Sequence, residues 1–172
     1  RLFLQGRMVL LDVYGADGSL FVNGQPLSIK GVNWFGSESY GGPPGGLTVH
    51  TIDFYLDFLQ EHKFNALRLL FNHQSVMRDA VVEAPPNLLD DLREVRYIEQ
   101  FSLLARAAAR RGILIVLGCH RIAPDAWPGK GLWYDPAYGF SEARVMQSWS
   151  KLARALCSHW NIVGADLQNE PH

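Results

Sequence analysis

Residues 113–118 read ILIVLG, a run with no charged and no polar side chain. A run this apolar and this short has no face to give to water, which marks a β-strand buried on both sides in a parallel sheet. Its flanks agree. Upstream, residues 93–111 set Val95, Ile98, Phe101, Ala105 and Ala108 along one helical stripe, and Gly112 follows as a C-terminal stop. Downstream, residues 119–140 hold Gly, Pro, Trp and Tyr and are expected to form a long loop. A helix over 141–160 then starts at Ser141 and aligns Val145, Trp149, Leu152 and Leu156, and IVGADL (162–167) reads as the next strand.

The same alternation extends towards the N-terminus. Residues 51–63 place Ile52, Tyr55, Leu56 and Leu59 on one helical face, and NALRLLF (65–71) follows as a strand. Residues 72–92 are polar and Pro-containing and read as an irregular insertion. In FVNGQPLSI, Asn23-Gly24 separates two apolar arms, a two-residue hairpin signal because both turn positions need positive φ. The second arm is expected to continue through LSIKGVNW into the loop SESYGGPPGG. The order is thus a hairpin followed by β-α-β-α-β-α-β, which predicts a parallel sheet with right-handed crossovers. The long loops at 34–50, 72–92 and 119–140 all follow strands, whereas the helix-to-strand joints are tight. In such α/β folds the chemistry lies at the carboxyl ends of the strands.

Composition excludes several other classes. The 172 residues are 48% hydrophobic and 19% charged with a net charge of −1, and the arginines of 93–111 are balanced by Asp90, Asp91, Glu94 and Glu99. No nucleic-acid footprint is expected. The apolar runs are too short to span a bilayer, so no membrane partner is expected either. Cys119 and Cys157 are the two cysteines, too few for a disulfide framework. The adjacent Cys119-His120 pair lacks the second cluster that zinc requires. The glycines at 41–46 lack both the spacing and the lysine of a phosphate loop. No metal or cofactor is expected. The chain begins at Arg1, which leaves open whether a signal peptide was removed.

Strand parity singles out the candidate site. Ala66, Arg68 and Leu70 share a face on one strand, Val116, Gly118 and His120 on the next, and Asp166, Gln168 and Glu170 on the last. An arginine, a histidine and a glutamate are expected to converge at the strand ends. Each also has a plainer role. Arg68 could be a structural ion-pair partner, with Asp166 as the carboxylate, and His120 a hydrogen-bonded core residue.

Taken in order, GVNWFGSES, NALRL with Arg68, His120-Arg121 followed by LWY at 132–134, and ADLQNEPH resemble glycoside hydrolase family 5, in particular its cellulase branch. The resemblance runs from about Leu20 to His172. It implies an α/β fold, a (β/α)8 TIM barrel of which this chain holds the first half: an N-terminal β-hairpin region over 1–26 and four βα units over 27–172. It implies hydrolysis of β-1,4-glycosidic bonds in cellulose or a related β-glucan by retaining double displacement, with Glu170 as acid/base and the nucleophile Glu outside this chain. Asn169 would hydrogen-bond the sugar 2-hydroxyl, Arg68 would hold the nucleophile's carboxylate, and His120 would line the subsite where the bond is cut. Trp34, Trp133 and Tyr134 are the candidate sugar-stacking rings, although a tryptophan in such a position is as often an anchor for its loop. Glu38, Asp125 and Asp135 lie on loops and have no evident support as a nucleophile. The resemblance also implies a secreted protein whose partners are a polysaccharide and the remaining half of the barrel. The sequence departs from the family pattern at Gly118, where Asp is frequent, at Leu70, where Pro is frequent, and in the longer RIAPD loop. Other family 5 specificities, such as mannanase or exo-glucanase, and a non-catalytic carbohydrate-binding barrel remain the alternatives.

Four strands leave an open edge and a half-filled interior. Purified 1–172 is therefore expected to self-associate and to be essentially inactive on cellulosic substrates. The check is a side-by-side assay of 1–172 and the full-length protein on a chromogenic cello-oligosaccharide. Turnover by 1–172 within about tenfold of full length, more than unassisted protonation accounts for, would place a nucleophile inside these residues.

Overall fold

The structure is a computed structural model that describes residues 11–39, 42–90, 92–126 and 132–171. It opens with a three-stranded antiparallel sheet, β1 (Val13–Ala16), β2 (Ser19–Val22) and β3 (Gln25–Leu27). The Asn23-Gly24 turn joins β2 to β3 with φ of 48° and 76°, as the hairpin reading requires. Asp17-Gly18 makes the same kind of turn between β1 and β2, with φ of 49° and 73°.

The expected continuation of the hairpin into GVNW does not occur. Residues 28–30 are held instead by Asn65, whose Oδ1 accepts from the Lys30 N–H (2.8 Å) and whose Nδ2 donates to the Ser28 carbonyl (2.7 Å). With their polar groups engaged there, Gly31–Trp34 starts a separate parallel sheet as β4.

That sheet runs β4, β5 (Ala66–Asn72), β6 (Leu114–Arg121) and β7 (Ile162–Asp166) in spatial order, all parallel. Between the strands lie α1 (Ile52–Glu61), α2 (His73–Arg78), α3 (Tyr97–Ala109) and α4 (Glu142–Leu156). Leu67, Leu69 and Phe71 of β5 and Ile115 and Leu117 of β6 are buried with Leu56 and Leu59 of α1, Phe101 and Leu104 of α3 and Leu152 and Leu156 of α4. The alternate residues Arg68, Leu70, Val116 and Gly118 lie outside this cluster, so one sheet face is sealed by helices and the other carries the arginine. This is the half-barrel arrangement of α/β layers.

Helix starts follow their capping residues. Thr51 Oγ1 accepts from Phe54 N–H at 3.2 Å, and Ser141 caps α4. Gly112, at φ 69°, turns the chain after α3 into β6. Across the surface, Arg111 pairs with Asp57 (2.6 Å) and Asp53 (2.9 Å), tying α3 to α1.

Two loop expectations are corrected. Residues 72–92 are not wholly irregular: Asn72 Oδ1 accepts from Ser75 N–H at 2.7 Å and starts α2, which Asp79 closes in the left-handed region. In 119–140, β6 persists to Arg121, and a 3-10 turn occupies Pro136–Tyr138, capped by the Asp135 side chain. The last helix and strand end earlier than their patterns suggest, at Leu156 and Asp166.

His73 is fully buried between the rings of Phe71, Phe140 and Trp149, with Nδ1 2.8 Å from Ser148 Oγ. Burial pushes its pKa down to about 4. A histidine held neutral in the fold contributes fully above its ordinary value near 6.5 and loses that contribution as pH falls towards 4. The loss is about 3 kcal/mol at most. Between about pH 7 and about pH 4.5, the urea midpoint of the native protein should therefore fall more than that of a His73→Gln variant. Equal pH dependence in the two would show that His73 does not couple to folding.

Candidate active site

Arg68 is the centre of the strand-end cluster. It sits on β5 in register with Asn33 of β4 and Val116 of β6. Its Nε and Nη2 donate to Asp166 Oδ2 at 2.8 and 2.5 Å, Nη2 also donates to Asn169 Oδ1 at 3.0 Å, and Nη1 donates to Asn33 Oδ1 at 3.2 Å. One planar group thereby ties β4, β5 and β7 together across β6. The ion pair with Asp166 is the partnership that the plainer reading of Arg68 anticipated.

The guanidinium reaches Asp166 by crossing Gly118, which pairs with Asp166 in the sheet. A Cβ at position 118 would lie 2.9 Å from Arg68 Nε and 3.1 Å from its Cζ. The hydrogen atom of Gly118 therefore leaves room for the arginine to cross.

Asn169 and Glu170 lie just beyond β7. The Asn169 N–H donates to the Cys119 carbonyl at 2.9 Å, so the chain still tracks β6 there, and Arg68 fixes the side-chain amide. Glu170 then turns into the left-handed region at φ 44° and is exposed. Simple strand parity from Asp166 does not carry through to it, because the strand has ended. Its carboxylate still acts on His120, which stands near the end of β6. Arg68, His120 and Glu170 accordingly share one end of the sheet.

His120 is half-buried, and desolvation holds its pKa below the usual histidine range. Glu38 and Glu170 pull it upward while Arg121 and Arg68 push it down. Its neighbour Cys119 is fully buried, and burial beside the Asp166 charge pushes the thiol up to about 12. That thiol stays protonated and is no nucleophile. Among the described residues, no three His, Cys, Asp or Glu side chains are arranged to hold a metal ion.

The three candidate rings are placed differently. Trp34 is buried, donates from Nε1 to the Gly45 carbonyl at 2.9 Å and packs edge-on against Tyr55, the loop-anchoring role. Trp133 is 38% exposed and meets Tyr134 edge-on, with Tyr134 packed on the small cluster of Ile122, Phe140 and Val145.

Asn33 and Asn72 escaped the sequence reading, as did the burial of Glu38. Asn33 lies in register with Arg68 inside GVNW, so strand pairing was the signal for it. Glu38 lies on its loop as expected but is buried, 4% exposed. Asn72 is fully buried and serves the same loop, donating from Nδ2 to the Glu38 carbonyl at 2.9 Å. Asp125, by contrast, is exposed, and Asp135 is engaged as the turn cap.

Comparison with known proteins gives a consistent picture. The sequence model described as Cellulase (glycosyl hydrolase family 5) matches residues 22–172. An endoglucanase of Paenibacillus polymyxa is 32% identical over 168 residues, covering 92% of this chain and 40% of the relative. The major extracellular endoglucanase of Xanthomonas campestris is 28% identical over 155 residues, 87% of this chain and 30% of its own length. Among solved structures, the endocellulase of Pyrococcus horikoshii superposes with a TM-score of 0.84 at 28% identity, covering 94% of this chain and 44% of that one. A variant of that endocellulase has been solved with cellotetraose. The chain therefore spans less than half the length of these relatives.

Gly118→Ala tests the arginine crossing. The added methyl should push the guanidinium off Asp166 and Asn169 and cost about 1–3 kcal/mol. Chemical denaturation of the wild type and the variant measures this, and an unchanged midpoint would mean that the arginine has room to spare.

Proposed function

The chain belongs to glycosyl hydrolase family 5, and from that premise we propose that it supplies the acid/base half of a retaining endo-β-1,4-glucanase. The observation that carries the reading is the joint tethering of Asn33, Asp166 and Asn169 to Arg68, with Glu170 next in the chain after Asn169.

Retention needs two carboxyl groups roughly 5–5.5 Å apart across the scissile bond. Glu170 fits the first role: it is exposed just past a strand end, where its charge acts on His120. It gives its proton to the leaving oxygen and then takes one from the water that releases the glycosyl-enzyme. The attacking carboxylate is a glutamate on a later strand of the full-length protein. Asn169 presents its amide to the sugar 2-hydroxyl. With its Oδ1 committed to Arg68, the Nδ2 group is the end left to face the sugar, so the arginine sets which end of the amide the substrate meets. Arg68 fixes this orientation and adds positive potential where the nucleophile must stay ionised. His120 offers a ring nitrogen to a hydroxyl of the same sugar, and Trp133 offers its exposed face for stacking. The substrate is a β-glucan, and the protein works outside the cell, as the name of the Xanthomonas relative states for that protein.

Two substitutions in the full-length protein test this assignment. Glu170→Gln should lower kcat/KM on cello-oligosaccharides with poor leaving groups by about 10²–10⁴-fold; with a leaving group that needs no proton, kcat/KM should be spared while kcat falls, because the base that activates water against the glycosyl-enzyme is lost. Arg68→Lys should lose most of kcat, because an ammonium cannot reproduce the planar fork that serves Asp166 and Asn169 together. Turnover of Arg68→Lys comparable to wild type would leave the arginine a purely structural role.

A further inference from the structure

Between the connections that follow β5 and β6 lies a cavity of about 530 Å³ that takes no residue from the Arg68 cluster. That volume falls within the range of small-molecule sites, about 300–1,000 Å³. Its walls come from α2 and the stretch after it, the start of α3, the end of the RIAPD stretch and the 3-10 turn at Pro136–Tyr138. Both connections leave the carboxyl ends of their strands, so the cavity stands at the same end of the sheet as Arg68, His120 and Glu170.

These walls are anchored by the fold. The Gln74 N–H donates to the Ile122 carbonyl at 2.9 Å and joins the two connections. Arg121 Nη1 donates to the Pro124 carbonyl and the Tyr97 N–H to the Ala80 carbonyl, each at 2.9 Å. Tyr97 is buried, with its hydroxyl donating to the Ser37 carbonyl at 2.5 Å. Tyr138 lies in the turn that Asp135 caps and packs, half-buried, on the cluster of Ile122, Phe140 and Val145. A site built in advance gives up little freedom when it binds.

The lining is of two kinds. Tyr138 and Val81, the latter 53% exposed, offer apolar surface, whereas Gln74, Arg78, Glu83 and Asp125 offer an amide, a guanidinium and two carboxylates. Two carboxylates against one guanidinium repel an anion, and charges of both signs give a strongly charged ligand no matching field. Among the described residues no three side chains are arranged to hold a metal ion. An uncharged polyhydroxylated ligand suits both kinds of lining. The apolar face of a pyranose can rest on Tyr138 and Val81, while its hydroxyls donate to the carboxylates and accept from the guanidinium and the amide. Tyr134, which meets the exposed Trp133 edge-on, packs on the same small cluster as Tyr138, so ring and cavity share one connection.

We propose that this cavity is a second sugar-binding site, which holds a segment of β-glucan chain and anchors the polysaccharide at the end of the sheet where it is cut. The β-glucan identity rests on the glucanase reading; the cavity and the polyhydroxylated class of its ligand do not.

The experiment uses the full-length protein with Glu170→Gln, so that the probe survives, and with 3-fluorotyrosine; Tyr138→Phe identifies the Tyr138 fluorine signal. Cellotetraose is titrated in. The expected result is a saturable movement of that signal. Its apparent affinity should weaken about tenfold or more in the Arg78→Ala, Asp125→Ala double variant, the size of one lost hydrogen bond to a charged group. Without the Glu170 substitution, the same pair should raise KM on a soluble polymeric β-glucan and leave kcat and KM on a short chromogenic cellobioside unchanged. A Tyr138 signal that cellotetraose leaves in place, or moves equally well in the double variant, overturns the proposal. Should the double variant fail to fold, Val81→Ser, at an exposed position, replaces it with the same expected weakening. Hydrolysis of β-glucan with a silent Tyr138 signal counts against this proposal alone. A Tyr138 signal that moves in a protein unable to hydrolyse β-glucan counts against the glucanase reading alone.

Discussion

A guanidinium set in the middle of an apolar strand has to be met by charge and by hydrogen-bond acceptors, and that requirement organises the strand-end centre. Arg68 reaches Asp166 on β7, Asn33 on β4 and Asn169 just past β7. The span is possible because Gly118 of the intervening strand has no side chain in the way. Remove the arginine and an aspartate is left without its counter-charge and two amides without direction, so packing and chemistry fail together. The sheet order β4-β5-β6-β7 is what brings residues as far apart in sequence as Asn33 and Asn169 onto the one guanidinium.

Much of this was legible in the residues. Alternating apolar stripes located three of the helices, Ser141 marked the start of one of them, and all of ILIVLG but its first residue fell inside β6. Those signals are local and survive into the fold because tertiary packing reinforces them. The Asn23-Gly24 turn was read from the dihedral demand of its residues; Asp17-Gly18 obeys the same rule but lies between shorter, less apolar arms and was passed over. The grouping of Arg68, His120 and Glu170 at one end followed from strands that all run the same way.

What was not legible depended on contacts between distant segments. Nothing near residue 28 announces that Asn65 will capture its carbonyl and end the hairpin. A polar stretch such as 72–92 hides a one-and-a-half-turn helix, because six residues are too few to show a period. Glu38 looked like any loop carboxylate; its burial is imposed by Tyr97 and Asn72, which are 59 and 34 positions away in the chain. Trp34 carries no sequence mark that tells an anchor from a sugar platform, and only the bond to Gly45 decides its place. Glu170 shares a face with Asp166 by parity only while the strand continues, and β7 stops four residues before it.

The account stands or falls on Glu170 being the acid/base rather than the nucleophile or a bystander. The direct measurement is azide rescue of Glu170→Ala in the full-length protein, using a β-cellobioside with an activated leaving group and reading the anomeric configuration of the product by NMR. With the carboxyl side chain gone from the leaving-group face, azide enters there and attacks the glycosyl-enzyme, so the account predicts a β-configured glycosyl azide and restored turnover. An α-configured azide would make Glu170 the nucleophile. Full activity without azide would remove it from the reaction.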